Sequence, residues 1–267
     1  MRIWVGNVAP NPRRSVKGRT NHLSKPAPRR ERKPEQGSAP HQFSVLSEGA
    51  DSSAPEFTGQ PQLARKTAFI VGNGNLEHDL SEAIDNADFV MRFNEPNLAD
   101  DKSGSRTDVL MLAASSKALH RRMADPAFLE NAALKSAKVL MLAYHPEVIR
   151  KYHPRPNIFQ RLRGRRADWT TQAIELMGHA GKEIRIMPPQ FYADGCAELG
   201  IATSRMRNVF PSTGFLGIRY ALANFPASEW QISLCGFGWQ GWKRHDWQNE
   251  RSWVEGKIAG GLIGMVA

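Results

Sequence analysis

The stretch KTAFIVGNGNLEHDLSEAIDNADFVMRFNEP, residues 66–96, decides the fold. It opens with Thr67-Ala68-Phe69-Ile70-Val71, a β-branched and aromatic run too short for a helix and closed by Gly72, which predicts a buried parallel strand. The turn Gly72-Asn73-Gly74-Asn75 follows at once, and its glycines can bring bare backbone close to a ligand. Residues 79–86 then read as a short helix whose first amides point back toward that turn. A second strand, residues 89–93, ends in Asn94-Glu95-Pro96. Two strands joined by a helix, each with an Asn just beyond its end, make one βαβ unit with polar groups at the carboxyl edge, where open α/β sheets bind ligands.

The same alternation continues along the chain. Strands are predicted over residues 67–71, 89–93, 108–112, 138–143, 183–187 and 231–235, and helices near 79–86, 125–135, 168–179, 190–198, 213–224 and 247–259. This pattern is that of an α/β fold, a single domain over residues 63–267 with a mostly parallel central sheet flanked by helices. No internal repeat interrupts it. Residues 1–62 differ: Pro, Ser, Gly, Arg and Lys dominate and large apolar groups are few, so a disordered basic arm is expected.

The net charge of +10 invites a nucleic-acid reading, but residues 1–40 hold ten Lys and Arg against two Asp and Glu, and so carry +8 of it. The remainder is close to neutral, and no nucleic-acid partner is expected for the folded part. The arm reads either as an electrostatic tether, with a peripheral membrane contact among its candidate roles, or as a dispensable extension. The cluster RLRGRR at 161–166 reads as a solvated connection between helices or as a phosphate or membrane contact. Two cysteines, Cys196 and Cys235, without metal-ligand spacing, agree with a reducing compartment. With neither an apolar span nor a signal-peptide core, the expected location is the cytoplasm, with the arm as a candidate contact to the inner membrane face.

Three polar constellations fall at the ends of predicted strands. Asn73 and Asn94 form the first; an Asn amide can read a ribose or base edge or hold a phosphate oxygen, yet Gly-Asn-Gly departs from GxGxxG and serves equally as a structural turn. Pro211-Ser212-Thr213-Gly214 is the second, with Ser212 as an N-cap and the following amides as an anion site, or as capping alone. The third runs from Gly236-Phe237-Gly238 to His245, Asp246 and Glu250, where a His at a helix entrance is either a base working near neutral pH or a packed ring. Its spacing matches no common metal motif.

Taken together in this order, the three constellations resemble glycosyltransferase family 29, the sialyltransferases. The long sialyl motif is matched by IVGNGNL, AIDNADFVMRFNEP and Gly104-Ser105-Arg106-Thr107, the short motif by PSTGFLGIRYAL leading to ISLCGFG, and the H-x4-E motif by HDWQNE. The resemblance spans about residues 66–258. It implies a GT-A-like variant fold and a donor that is a CMP-activated nonulosonic acid, usually CMP-sialic acid, with a glycan as acceptor and no metal or other cofactor. Residue by residue, it implies that Asn73 and Asn94 hold the cytidine nucleotide, that Ser212, Thr213 and Gly214 contact ribose and phosphate, and that His245 is the general base. Glu250 would orient the His loop or the helix start.

The sequence also departs from the family. Ala68 and Phe225 stand where animal members carry a disulfide, and only six residues separate Gly238 from His245, so the family's His-rich motif between them is missing. Trp242, Lys243 and Arg244 are the candidates to supply phosphate contact in its place. Two other readings stay open: the +8 arm and RLRGRR suggest a protein that binds nucleic acid or a membrane surface through that arm, and the missing His-rich motif suggests a CMP-binding family member without transferase activity.

Overall fold

The computed structural model describes residues 64–96, 98 and 102–266, and the basic arm expected over 1–62 lies outside them. Its core is one seven-stranded sheet in the order β5-β4-β3-β2-β1-β6-β7, parallel at every pairing. The strands are β1 (Lys66–Val71), β2 (Phe89–Phe93), β3 (Val109–Leu112), β4 (Val139–Leu142), β5 (Glu183–Ile186), β6 (Trp230–Cys235) and β7 (Gly264–Met265). Helices α1 (Ser81–Asp85), α2 (Lys117–Met123), α3 (Ala132–Ser136), α4 (Pro146–Tyr152), α5 (Ile158–Leu162), α6 (Thr170–His179), α7 (Pro189–Glu198), α8 (Thr213–Asn224) and α9 (Trp247–Ala259) connect them.

Burial explains the strand composition. β3 and β4 both read Val-Leu-Met-Leu and are buried at every position, as parallel strands covered on both faces must be. The sheet edge at β5 is only half-buried, and its sequence accordingly mixes Glu183 and Arg185 with two isoleucines. The six strands expected from sequence occur within one residue at each end, while β7, a two-residue addition to β6, was not expected.

The helix expected over 125–135 is divided. A 3-10 turn, Pro126–Glu130, ends at Asn131, whose side chain accepts from the amides of Ala133 and Leu134 and starts α3. RLRGRR is likewise not all connection, since Arg161 and Leu162 belong to α5. At the site of the family disulfide, Phe225 packs edge-on against Phe89 at 4.7 Å and stacks on Trp230 at 4.5 Å; Phe89 is the register partner of Ala68. Aromatic packing occupies the place of the bridge, and Cys196 and Cys235 are both free and buried.

Strand order changes direction around β1, which has β2 on one side and β6 on the other. The loops that leave the carboxyl ends of β1, β2 and β6 therefore meet at a topological switch point.

Candidate active site

The Gly-Asn-Gly turn is joined first to the β6 loop. The Gly72 amide donates to the Cys235 carbonyl and the Gly74 amide to the Gly236 carbonyl, each at 2.8 Å. A Cβ on Gly72 would lie 2.1 Å from the Gly236 oxygen, and one on Gly74 2.9 Å from it. The bare backbone expected to face a ligand thus faces a second loop, and the glycines close the β1–β6 crevice. The start of α1 also departs from expectation: it follows Leu80, and the Asp79 carboxylate takes the Ser81 amide at 2.9 Å instead of that amide serving the turn.

The two asparagines act as joints between strand ends. Asn73 Nδ2 donates to the Phe93 carbonyl at 3.0 Å, which ties the β1 loop to the last residue of β2. Asn94, at φ 49°, occupies the left-handed region that Asn tolerates better than most residues. Its Oδ1 accepts from the Ala113 amide at 3.0 Å and its Nδ2 donates to Thr213 Oγ1 at 2.9 Å. Residues 119 positions apart in sequence meet in that bond.

The rest of the long motif braces this edge. Arg92, 1% exposed, donates to the carbonyls of Ser103, Gly104 and Arg106, while Asp85 accepts from the amides of Ser105 and Arg106. Gly104-Ser105-Arg106-Thr107 is a clasp between β2 and α1.

The second constellation opens α8. Ser212 Oγ caps the helix by accepting from the Phe215 amide at 3.0 Å and donates its own proton to Glu250 Oε2 at 2.6 Å. The Ser212 amide donates to Glu250 Oε1 at 2.7 Å. Both carboxylate oxygens of Glu250, a residue with no solvent exposure, are thereby spent on one serine. Burial pushes the Glu250 carboxyl up to about 7, against the two bonds from Ser212 that pull it down. The Thr213 and Gly214 amides make no hydrogen bond among the described residues, as befits the first turn of a helix.

His245 enters from the third constellation. Its Nδ1 lies 2.9 Å from the Phe210 carbonyl, and a carbonyl only accepts, so the proton is on Nδ1 and Nε2 carries the lone pair. Burial lowers the ring's proton affinity, with the Phe210 carbonyl working against that shift. Trp242 and Trp247 approach it edge-on at 5.2 and 5.0 Å. Of the three candidates for phosphate contact, Trp242 is half exposed, Lys243 is exposed, and Arg244 Nη1 donates to the Arg207 carbonyl at 3.3 Å. Trp239 has φ 48°, a costly conformation for a bulky side chain, beside the same loop.

Sequence reasoning missed the wall behind this site. Phe210 is fully buried; His153 stacks on its ring at 4.8 Å, and Tyr144 donates its hydroxyl proton to the Pro211 carbonyl at 2.8 Å. His153 Nδ1 lies 2.8 Å from the Ser115 hydroxyl, its Nε2 is buried without a partner, and burial lowers its pKa to about 4. Isolated aromatic and His residues in loops carry no periodic signal, and only the fold brings these together. No cluster of three or more His, Cys, Asp or Glu that could hold a metal ion forms among the described residues.

A parallel sheet with amides, hydroxyls and an imidazole gathered at its switch point defines an α/β protein with a polar site at the carboxyl edge. The chain belongs to glycosyltransferase family 29 (sialyltransferase), whose family model matches residues 34–255. Among curated proteins it is similar to the urease operon 23 kDa accessory protein of Rhizobium meliloti (strain 1021), 26% identical over 207 residues that cover 74% of this chain and 91% of that protein. Among solved structures it resembles a mammalian sialyltransferase in complex with Gal-beta-1-3GalNAc-ortho-nitrophenol, at 17% identity and a TM-score of 0.46 over 76% of this chain and 69% of that one. It also resembles the sialyltransferase CST-II in complex with CMP, at 12% identity and a TM-score of 0.47 over 76% of this chain and 80% of that one.

Proposed function

We propose that the protein is an inverting, metal-independent glycosyltransferase that moves sialic acid or a related nonulosonic acid from a CMP-activated donor to a glycan hydroxyl. The observation that carries this reading is the linkage of three distant motifs at one edge. Asn94 holds Thr213, Glu250 holds Ser212, and His245 stands fixed by Phe210 with Nε2 free of any hydrogen bond among the described residues.

Each group has a part. Thr213 Oγ1 accepts from Asn94, so its own proton remains for an anionic oxygen, and the Thr213 and Gly214 amides add two further donors for the phosphate of CMP. Asn73 and Asn94 each retain a second amide N–H for the nucleotide. Ser212 acts through position: with its hydroxyl and amide given to Glu250, it sets where the two following residues stand. Charge gathering on departing CMP is stabilised by these donors, and His245 Nε2 takes the proton from the acceptor hydroxyl as its oxygen attacks the anomeric carbon. One displacement of this kind inverts that carbon. Lys243, exposed beside the His loop, is the best placed of its three neighbours to reach the phosphate, because Arg244 is engaged with Arg207.

The decisive experiment incubates the purified protein with EDTA, CMP-sialic acid or CMP-Kdo, and a panel of glycan acceptors. Release of CMP dependent on acceptor is expected, together with a thermal shift by CMP that UMP does not match. Absence of both would remove the reading. A CMP shift without transfer would favour a nucleotide-binding member that has lost catalysis, a second reading supported by the six-residue gap between Gly238 and His245.

A further inference from the structure

Between α4 and α6 the chain leaves the carboxyl rim of the sheet and returns to it. At the exit His153 packs on Phe210 and meets Ser115, and at the return the Trp169 amide donates to the Ala114 carbonyl at 2.9 Å. The excursion carries α5, on which Ile158, Phe159 and Leu162 are 71%, 74% and 80% exposed. Spacing of i, i+1 and i+4 puts all three on one side of the helix. Elsewhere among the described residues large apolar side chains reach no more than 50% exposure, at Trp242, so this trio stands out as a patch left uncovered.

The surroundings of the patch have one sign of charge. Residues 150–166 contain seven Lys and Arg and no Asp or Glu. None of the seven joins an ion pair among the described residues. A capping box between Asn157 and Gln160 holds the helix start, so the trio is presented already ordered and loses less freedom on binding.

We propose that this face docks on an anionic lipid bilayer, with Ile158, Phe159 and Leu162 entering the boundary between headgroups and acyl chains and the flanking arginines at the lipid phosphates. Cations alone would suit a nucleic acid, but that partner has no use for the aliphatic Ile158 and Leu162, whereas an apolar tip ringed by Arg matches hydrocarbon beneath anionic headgroups. Long arginine stems let the charge stay at the surface while the apolar side chains enter. The excursion is anchored at Phe210, the residue that also orients His245, so docking holds the candidate site beside the membrane. The inference stands on the exposed trio and its charge, independently of the transferase reading.

Flotation of the full chain with vesicles tests it. Binding is expected to an equal mixture of phosphatidylcholine and phosphatidylglycerol, weak on phosphatidylcholine alone and reduced by salt. The triple variant Ile158→Ser, Phe159→Ser, Leu162→Ser should partition about tenfold less or weaker still, with unchanged melting, since these side chains are already in water. Phe159→Cys labelled with an environment-sensitive fluorophore should shift to the blue on mixed vesicles, the native Cys196 and Cys235 being buried from the reagent. If the triple variant floats as well as the unaltered chain, or the label at 159 stays water-like, binding belongs elsewhere and the proposal fails. It fails equally if the triple variant keeps vesicle binding but loses an oligonucleotide complex or self-association in sedimentation.

Discussion

The tautomer of His245 follows from a single contact and decides what the residue can do. Because the Phe210 carbonyl takes Nδ1–H, the basic nitrogen is Nε2, and because burial lowers the ring's proton affinity below its ordinary 6.5, that nitrogen is unprotonated at neutral pH. His245→Ala is therefore expected to reduce turnover by roughly 10²–10⁴-fold while leaving the CMP thermal shift in place. Loss of both would make the ring a structural part. The acid limb of kcat/KM should lie below pH 6.5; a limb above 7 would assign the base elsewhere. Glu250 presents the converse case, a buried carboxyl whose two oxygens are both taken by Ser212. In Glu250→Ala the Ser212 amide and hydroxyl are left buried without their acceptor, at a cost of about 1–3 kcal/mol by urea unfolding. Glu250→Gln retains one acceptor and should recover most of that loss at pH 8, and equal damage by both changes would show that shape, not hydrogen bonding, is what Ser212 requires.

At the scale of elements, strands were readable because parallel strands buried on both faces are continuous apolar runs, such as Val109–Leu112 and Val139–Leu142. Helix α8, with its apolar stripe of Phe215, Leu216, Ile218 and Ala221 and its Ser212 cap, was readable for the matching reason. The misses are short. α2, α4 and α5 run five to seven residues, less than two turns, which is too few to display a period. The motif residues were legible as a set, but their partners were not: nothing in the sequence says that the glycines of Gly72-Asn73-Gly74 press on Gly236, or that Arg92 is buried under 103–106. The first of these contacts is open to test. Gly72→Ala sets a methyl against a backbone oxygen that cannot move without displacing β6, so a loss of about 3 kcal/mol or more is expected. Since Asn73 rides on that turn, CMP binding should weaken with it. Unchanged stability and binding would mean that the β1 and β6 loops separate freely.

Across the whole molecule, two buried groups on the same wall titrate in overlapping ranges with opposite consequences. Glu250 is raised to about 7 from an unfolded value of 4.5, so its folded form keeps a proton that the unfolded chain has released; the stability it contributes is full below pH 4.5 and lost as pH rises through 7. His153 is lowered to about 4 from 6.5, so the unfolded chain takes up a proton that the folded form refuses; its contribution is full above pH 6.5 and lost as pH falls toward 4. Each amounts to about 3 kcal/mol across its range. Between pH 4.5 and 6.5 the two slopes oppose, and the unaltered protein should show little change in unfolding free energy there. Carboxylates held low by basic partners, such as Glu95 beside Arg122, add their losses at more acid pH. Removing one member of the pair uncovers the other. Glu250→Gln should give stability that climbs with pH from 4 to 6.5, whereas His153→Phe, which keeps an aromatic ring against Phe210, should give stability that falls from 4.5 to 7. Urea unfolding at half-unit pH steps reads both profiles. If the two variants share the flat profile of the parent, the buried carboxyl and the buried imidazole are not what balances the wall behind the site.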